Sequence, residues 1–283
     1  MKPIDLNEFP RWSVWPARLL KQLPWSVPER TIEKIDIEYD KNKYKKLLED
    51  YIATDSKKTP DEVIDYAFSS AAEQKLCILR RGSLYEVSLR DAQTEYYELL
   101  AEVLSEHLRK CNSVVELGAG CGYNLWFLRK RFPDKNYMGG EYSQNAVKLS
   151  SLIYKNESNI AVKYFNFYEK ETYRILESLK PPVLVFTCHA VEQLPSAAMV
   201  PDMLADYREQ IEDVLHFEPA YELHNNTLLG LMQRRYAEVN DYNRDLISQL
   251  KSRSFVQIIK TDTDVFGFNP MNPTSIIHWK FKS

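Results

Sequence analysis

The most constraining feature of the sequence is a glycine-rich segment, VVELGAGCGYN, which begins at Val114 with a short apolar run. Three glycines follow that run at alternate positions, 118, 120 and 122. Glycines let a chain turn tightly, and they let a ligand lie against bare peptide groups at the start of a helix. The segment therefore predicts a strand, a ligand-binding loop and a helix over residues 114–129.

Short apolar runs alternate with amphipathic stretches from Ser113 onward, and this pattern indicates βαβ units with a mostly parallel sheet. The last two runs suit an antiparallel pair at the end of that sheet. We predict an α/β fold in which a seven-stranded Rossmann-like sheet carries helices on both faces. The seven predicted strands are SVVEL, KNYMGGE, AVKYFNF, PVLVFTC, DVLHFEP, FVQIIKT and SIIHWKF.

The first 110 residues have a different character. Tryptophans and prolines up to about residue 30 predict an arm packed on the body, and Thr59-Pro60 predicts the start of a helix. The segment KLCILRRGSLYEVSLRD predicts a hairpin, and TEYYELLAEVLSEHLRK predicts a helix. We expect a mainly helical cap with a hairpin over residues 1–110, a catalytic domain over residues 111–283, and a homodimer formed, if at all, through the N-terminal region. Four aromatic residues are candidates for the acceptor pocket or for packing: Trp12, Trp15, Tyr96 and Tyr97.

Composition narrows the class of protein. Lysine and arginine number 37 against 40 acids, so a net charge of -3 gives no general attraction for nucleic acid. The four cysteines form no CxxC pair, which favours reduced thiols over a disulfide framework or a zinc knuckle. No apolar run suits a signal peptide or a membrane helix, so we expect a cytoplasmic protein.

A dinucleotide coenzyme is the competing interpretation of the glycine-rich loop. The G-x-G-x-x-G pattern counted from Gly118 requires glycine at position 123, where Tyr123 stands. The carboxylate of Glu116 would also face a pyrophosphate unfavourably, whereas it suits the ammonium of an amino-acid ligand. The loop therefore favours a cationic sulfonium cofactor.

The segment ELGAGCG resembles the first motif of the class I S-adenosylmethionine methyltransferases. That family places an acid that binds both ribose hydroxyls at the end of the next strand, where Glu141 stands in YMGGEYS. The third strand ends at Asn166-Phe167, where the family has an acid or amide near the adenine. The resemblance implies S-adenosyl-L-methionine as cofactor, bound by Glu116, Gly118, Ala119, Gly120, Glu141, Tyr142, Asn166, Phe167 and Thr187.

Candidate catalytic residues follow the fourth predicted strand, in FTCHAVEQLP, because ligands in this fold lie beyond the carboxyl ends of the strands. His189 is the candidate general base, with an ordinary pKa of about 6.5 that suits the role. Glu192 is the second candidate catalytic residue, and Gln193 is a candidate substrate contact. Glu218 ends the fifth strand, where it is a candidate for binding substrate; a divalent cation there is an open option that we do not predict.

Longer pieces of the sequence resemble a bacterial group of sugar O-methyltransferases: TCHAVEQLP, HFEP, RRYAEVNDYNRDL and FNPMNPTSIIHW. The resemblance covers roughly the last 170 residues. It implies a hydroxyl acceptor on a sugar or related small metabolite, with Asn269 and Asn272 as further substrate contacts. Asn-Pro pairs also form turns without any ligand, and this alternative stays open.

Two rival functions remain at this stage. Glu192 would also suit a guanidinium or amine, which indicates an N-methyltransferase acting on arginine or a similar metabolite. The fold would also serve as a cofactor-binding or scaffold protein without catalysis.

Overall fold

Ten runs of residues pair into one mixed sheet in the computed structural model, which describes residues 1–26, 31–54, 57–69 and 71–282. In chain order the strands are β1 (Lys2–Ile4), β2 (Lys75–Arg80), β3 (Ser83–Ser88), β4 (Ser113–Leu117), β5 (Asn136–Glu141), β6 (Ile160–Tyr164), β7 (Val183–Cys188), β8 (Ile211–Glu218), β9 (Val256–Gly267) and β10 (Thr274–Phe281). Across the sheet they follow the order β1-β3-β2-β9-β10-β8-β7-β4-β5-β6.

Ten α-helices accompany the sheet within the described part of the chain. They are α1 (Trp15–Leu19), α2 (Ile32–Ile35), α3 (Lys45–Ala53), α4 (Pro60–Ser69), α5 (Leu89–Leu108), α6 (Tyr123–Arg131), α7 (Gln144–Ile153), α8 (Met199–Ala205), α9 (Leu228–Val239) and α10 (Leu246–Lys251). Residues Asp36–Tyr44 join α2 to α3 as a π-helix, which we call the π segment. Helix α4 begins as predicted, with Glu62 N–H donating to Thr59 Oγ1 and the Glu62 carboxylate accepting from Thr59 N–H.

Apolar side chains cover both faces of the sheet, because successive residues of a strand point to opposite sides. On β7, Leu184 and Phe186 belong to one buried cluster, whereas Val183 and Val185 belong to the other. Helices pack over both clusters, as the sequence predicts. The central strands β6, β5, β4, β7 and β8 are parallel neighbours, so their carboxyl ends meet at one edge of the sheet. That edge carries the candidate site.

The sheet is larger than the predicted seven strands. All seven are present, but the predicted hairpin, β2 and β3, joins the same sheet, because Leu79 pairs with Gly267 and Arg80 pairs with Phe266 of β9. Strand β1 pairs with β3 and completes the edge. Strand β9 runs to Gly267, beyond its predicted end, because its last residues find partners on both sides. The prediction failed here because a strand's partners are distant in sequence and leave no local pattern.

The predicted N-terminal arm packs on the body through large side chains. Phe9 is buried, and the ring of Trp15 lies 4.5 Å from that of Tyr236 on α9. The arm also contains regular structure, because β1 and α1 form within it. Among the described helices, none combines the length and the apolar character needed to cross a membrane. The domain boundary at residues 110 and 111 stays a prediction.

Candidate active site

The glycine-rich loop lies between β4 and α6, and its conformation requires glycine. Gly118, Gly120 and Gly122 have φ values of +83°, +55° and +78°, which residues with a β-carbon rarely adopt. Space is equally restricted, because a β-carbon on Gly118 would lie 2.2 Å from Ala190 Cβ. A β-carbon on Gly120 would lie 2.4 Å from the hydroxyl of Tyr44. Ala190 and Tyr44 therefore pack directly against these two glycines, and the residues from Gly118 to Gly120 also line the cavity described below.

Glu116, the residue before the last one of β4, carries a buried carboxylate. One oxygen, Oε1, accepts a 2.6 Å hydrogen bond from Asn124 Nδ2 on α6. The other oxygen, Oε2, is buried and has no hydrogen-bond partner among the described residues. Burial raises the pKa of Glu116 to about 8, although the bond from Asn124 opposes the rise. A cationic donor at Oε2 would satisfy the free oxygen and restore the ionised form.

Glu141 ends β5 and faces the same loop. Its carboxylate accepts hydrogen bonds from the N–H groups of Gly120, at 2.7 Å, and Ser143, at 2.8 Å. Burial raises the pKa of Glu141 above its ordinary value, and these N–H donors oppose the rise. The carboxylate is thus oriented by the backbone, at the position where the sequence predicts a ribose-binding acid.

Asp40 fastens the π segment to this edge of the sheet. Its Oδ1 accepts hydrogen bonds from the Ser143 hydroxyl, at 2.6 Å, and from Asn145 N–H, at 2.9 Å. Asn145 also donates its side-chain amide to Asp40 Oδ2 at 2.9 Å. A carboxylate at the start of α7 is stabilised by the free N–H groups and dipole of that helix. One side chain, that of Asp40, therefore joins the π segment to the residues that follow Glu141.

The segment after β6 forms a turn that uses its own polar groups. Asn166 Oδ1 accepts from Tyr168 N–H at 3.0 Å, and its amide nitrogen donates to Glu169 at 2.8 Å. Phe167 is largely buried beside the loop. The hydroxyl of Tyr168 is buried without a hydrogen-bond partner among the described residues. Asn166 therefore shapes the turn that forms this wall of the site, and Tyr168 lines the cavity beside it.

His189 follows β7 in a strained conformation, with φ of +50°. Its Nε2 lies 2.7 Å from Thr274 Oγ1, and its Nδ1 lies 3.3 Å from Glu192 Oε2. Burial alone would lower the pKa of His189, but the charge and contact of Glu192 raise that pKa above its ordinary value of 6.5. The two side chains form a histidine–carboxylate pair of the kind that orients a base.

Glu192 is buried and fully engaged. Its Oε1 accepts from Gln193 Nε2 at 2.9 Å, and its Oε2 accepts from Asn272 Nδ2 at 2.7 Å. Because Gln193 donates its amide nitrogen to Glu192, its Oε1 points elsewhere, where it is buried without a partner among the described residues. This oxygen is therefore an unused hydrogen-bond acceptor in a residue that lines the cavity.

Glu218, at the end of β8, positions the loop that carries His189 and Glu192. Its Oε1 accepts from Ala190 N–H and Val191 N–H at 2.9 and 3.0 Å, and its Oε2 accepts from Glu192 N–H at 3.1 Å. The carboxylate is completely buried. Both of its oxygens are thus used by backbone N–H groups.

One cavity of about 920 Å³ connects these elements. Its size fits a ligand with room for a second small molecule. Predicted site residues that line it are Glu116, Gly118, Ala119, Gly120, Glu141, Tyr142, Asn166, Phe167, His189, Glu192 and Gln193. Those outside its lining are Thr187, Glu218, Asn269 and Asn272.

The residues outside the lining have partners within the protein. Thr187 is buried with its hydroxyl 2.9 Å from His216 Nδ1. Asn269 Oδ1 accepts from Met271 N–H at 3.0 Å, and its amide donates to the Tyr236 hydroxyl at 3.1 Å, as in a self-contained turn. Asn272 and Glu218 border the cavity only through the residues they hold.

The N-terminal hundred residues supply part of the cavity wall. Sequence patterns identified only some of the residues that form it. Tyr96 and Tyr97 of α5 line the cavity as expected, whereas Trp12 and Trp15 pack in a separate apolar cluster. The π segment and α3 add residues that no motif marks: Tyr39, Lys43, Tyr44, Lys46, Leu47 and Asp50. Asn124, which donates to Glu116, is also absent from the predicted site residues. Its position at the start of α6, directly after the glycine-rich loop, is the sequence feature that could have identified it.

No protein-family model matches the sequence, and no curated protein matches it. Solved structures are similar to part of the chain at low sequence identity. The N-methyltransferase NodS from Bradyrhizobium japonicum WM9, in complex with S-adenosyl-L-homocysteine, is 10% identical, with 68% of this chain and 88% of that chain covered and a TM-score of 0.46. The magnesium protoporphyrin IX methyltransferase ChlM from Synechocystis PCC 6803, with the same ligand bound, is 10% identical, with 70% and 90% covered and a TM-score of 0.47.

Proposed function

We propose that the protein is an S-adenosylmethionine-dependent methyltransferase whose acceptor is a hydroxyl of a sugar or related small metabolite. The observation that carries the cofactor assignment is the buried, unpartnered Oε2 of Glu116, a residue that lines the cavity beside the glycine-rich loop. A buried acceptor without a partner is costly, and an amino-acid ammonium is the cation that fits a carboxylate beside a glycine-rich loop.

The cofactor would be held by four parts of the cavity wall. Glu116 would accept the ammonium, and Glu141 would accept the ribose hydroxyls. Gly118 to Gly120 would lie against the ligand through their backbone, and Phe167 with Tyr168 would border the adenine. S-adenosylmethionine supplies an electrophilic methyl group on a cationic sulfur. The protein's own task is to orient the acceptor, remove its proton and exclude water.

His189 is the proposed general base. Glu192 fixes the ring through Nδ1, so Nε2 is the atom that would take the acceptor's proton once the Thr274 hydroxyl turns away. After a rotation of the Gln193 side chain, its free Oε1 would accept a second hydrogen bond from the acceptor. Two such contacts favour a polyhydroxylated acceptor, because it presents a hydroxyl to each.

The arginine or amine alternative is less well supported. A guanidinium would need a carboxylate with free oxygens, whereas both oxygens of Glu192 already accept hydrogen bonds from side chains. A methyl-transfer assay that compares sugar nucleotides with free arginine separates the two. Methylation of arginine alone would overturn the hydroxyl proposal, and tight cofactor binding without any methylated product would favour a scaffold role.

We further propose that residues 1–110 act as a cap for the acceptor, with the π segment and α5 as its contributing elements. A dimer through this region and a cytoplasmic location stay predictions. A small-molecule partner, rather than nucleic acid, agrees with the net charge of -3.

The cofactor assignment is tested by calorimetry with S-adenosylhomocysteine. Glu116→Gln keeps the side chain's shape and its acceptor for Asn124 but removes the charge, so we expect affinity to fall by roughly 10- to 100-fold. Glu222→Gln is the matched control, because Glu222 caps α10 through Ile247 N–H outside the cavity. No binding by the unmodified protein, or equal loss in both variants, would refute the assignment.

A further inference from the structure

A second group of polar side chains lies on the sheet far from the cavity. His107 comes from the end of α5, Asp213 from the start of β8, and His278 from β10. Asp213 and Glu218 stand at opposite ends of β8, and at about 3.3 Å per residue they are roughly 16 Å apart. The group is therefore separate from the proposed methyl-transfer site, and no step proposed above uses it.

The three side chains converge through the Asp213 carboxylate. His107 Nδ1 lies 2.8 Å from Asp213 Oδ2, and His278 Nε2 lies 2.6 Å from Asp213 Oδ1. One ligand atom from each residue lies within 4.8 Å of the others. Within residues 1–26, 31–54, 57–69 and 71–282, this is the sole group of three or more histidine, cysteine or acidic side chains so arranged.

Burial leaves one side of the group open. Asp213 is completely buried, whereas the His107 and His278 side chains are 14% and 13% exposed. Two strands and a long helix hold the ligand-bearing backbones in place, and the three ligand atoms already lie within 4.8 Å of one another, so rotation of the side chains would bring them to a common centre. An ion would enter from the exposed side and keep water as a fourth ligand.

Lys280 is the group that a cation would have to displace. Its ammonium lies 3.1 Å from Asp213 Oδ1 and 3.0 Å from Glu212 Oε1. Because Glu212 already binds this ammonium, Lys280 keeps an acidic partner when Asp213 turns to an ion. The side chain is also 30% exposed, so it has room to move.

We propose that His107, Asp213 and His278 bind a divalent cation of the zinc class. Two imidazole nitrogens and one carboxylate oxygen are ligands that Zn²⁺ and Co²⁺ prefer over Mg²⁺ or Ca²⁺, which take oxygen. The bound ion ties the end of α5 to β8 and β10. Its role is structural, since it secures the helix whose other half lines the cavity through Tyr96 and Tyr97.

The test is a titration of the untagged full chain with Co²⁺, followed by visible absorption, with Zn²⁺ as competitor. We expect one Co²⁺ per chain, the intense visible bands of a four-coordinate site and no thiolate charge-transfer band. Zn²⁺ at 100 times its Kd should raise Tm by roughly 5 to 10 °C, by mass action on the folded state. Absence of saturable binding, or a thiolate band from a cysteine, would overturn the proposal.

Variants locate the ion. His107→Asn and His278→Asn keep a hydrogen-bond donor for Asp213 but remove a metal ligand. We expect each substitution to weaken Co²⁺ binding by roughly 10- to 100-fold. His224→Asn is the matched control, because His224 is a buried histidine beside a different acid, Asp264. Circular dichroism establishes that each variant is folded. Binding unchanged in the folded His278 variant would overturn the site even if the His107 variant fails to fold.

Discussion

Because Glu116 has a buried carboxylate oxygen without a partner, the affinity of the protein for the proposed cofactor should depend on pH. The pKa of Glu116 is raised to about 8, so below pH 8 the side chain is mainly protonated before a cation binds. A ligand ammonium favours the ionised form, and binding therefore releases a proton. We expect the affinity for S-adenosylhomocysteine to rise by about tenfold per pH unit between roughly pH 5.5 and 7.

Calorimetry in buffers of different ionisation enthalpy checks this expectation, because the released proton adds the buffer's heat to the signal. The Glu116→Gln variant is the control, and its affinity should be flat over the same range. A flat profile in the unmodified protein would contradict the proposed ammonium contact.

As the proposed general base, His189 should give the turnover rate a second pH dependence. A general base must be neutral, and the pKa of His189 is raised above 6.5 by Glu192 despite burial. Activity should therefore increase with pH through a midpoint above 6.5. Glu192→Gln removes the charge, so the midpoint should move to lower pH, as measured by kcat at saturating acceptor.

Removal of the base itself should affect chemistry and spare cofactor binding. We expect His189→Asn to lower kcat by roughly 100-fold or more, the usual contribution of a positioned base. Affinity for S-adenosylhomocysteine, measured by calorimetry, should stay within about twofold, because the cofactor contacts assigned to Glu116 and Glu141 are intact. Unchanged kcat would remove His189 from the mechanism.

At the level of elements, Gly118 of the glycine-rich loop can be compared with Gly82, which lies in the turn between β2 and β3 and has a similar backbone conformation. Gly118 and Gly82 have φ values of +83° and +77°, but a β-carbon on Gly82 would meet nothing within 4 Å. Gly82→Ala should cost about 1 to 2 kcal/mol of unfolding free energy, for the backbone conformation alone. Gly118→Ala adds the collision with Ala190, and we expect a further 1 to 3 kcal/mol or so.

Urea unfolding of both variants measures the difference. Gly118→Ala combined with Ala190→Gly should recover part of the extra loss, because it removes the atom that collides. Equal destabilisation by the two single substitutions would show that the close approach of Ala190 does not constrain the loop.

Strands with continuous apolar runs could be predicted from sequence because their burial on both faces is a local property. The predicted run PVLVFTC contains β7, whose first five residues are buried. What could not be predicted was pairing between distant segments, as between β2 and the last residues of β9. The same limit explains the missed strand β1, whose three residues form a strand only because β3 lies beside them.

The residues of the site likewise fall into those that the sequence could locate and those that it could not. Glu116 and Glu141 could be located from their distance to a recognisable loop, and both line the cavity. Thr187 follows the same logic of position at a strand end, yet its hydroxyl faces His216 and not the cavity. The side on which a residue points, and the approach of Tyr44 from the π segment, depend on packing that no local pattern contains.

For the whole molecule, one continuous sheet implies that the first 110 residues are required for folding. We expect a fragment of residues 111–283 to be insoluble or to melt without a cooperative transition. It lacks α5, whose Leu100, Leu104 and Leu108 are buried against the central strands, and it exposes the edge of β9. Thermal melting of the fragment beside the full chain measures this.

A milder truncation provides the control for that experiment. Removal of residues 1–30 takes away β1 and the buried Phe9 but leaves the hairpin and α5 in place. We expect this chain to stay folded with a lower Tm. A soluble 111–283 fragment with a sharp melting transition would instead support two independently folding domains.

The Asp40 contacts link the π segment to the proposed ribose site, and under the proposed function this link bears on how product and cofactor are released. The carboxylate holds Ser143 and Asn145, directly after Glu141, so we expect movement of the π segment to disturb the proposed ribose site. Coupling of this kind is reciprocal. A nucleoside bound at Glu141 would therefore hold the π segment in place, and displacement of the π segment would weaken the binding of the nucleoside, so we expect the methylated product and the spent cofactor to leave together.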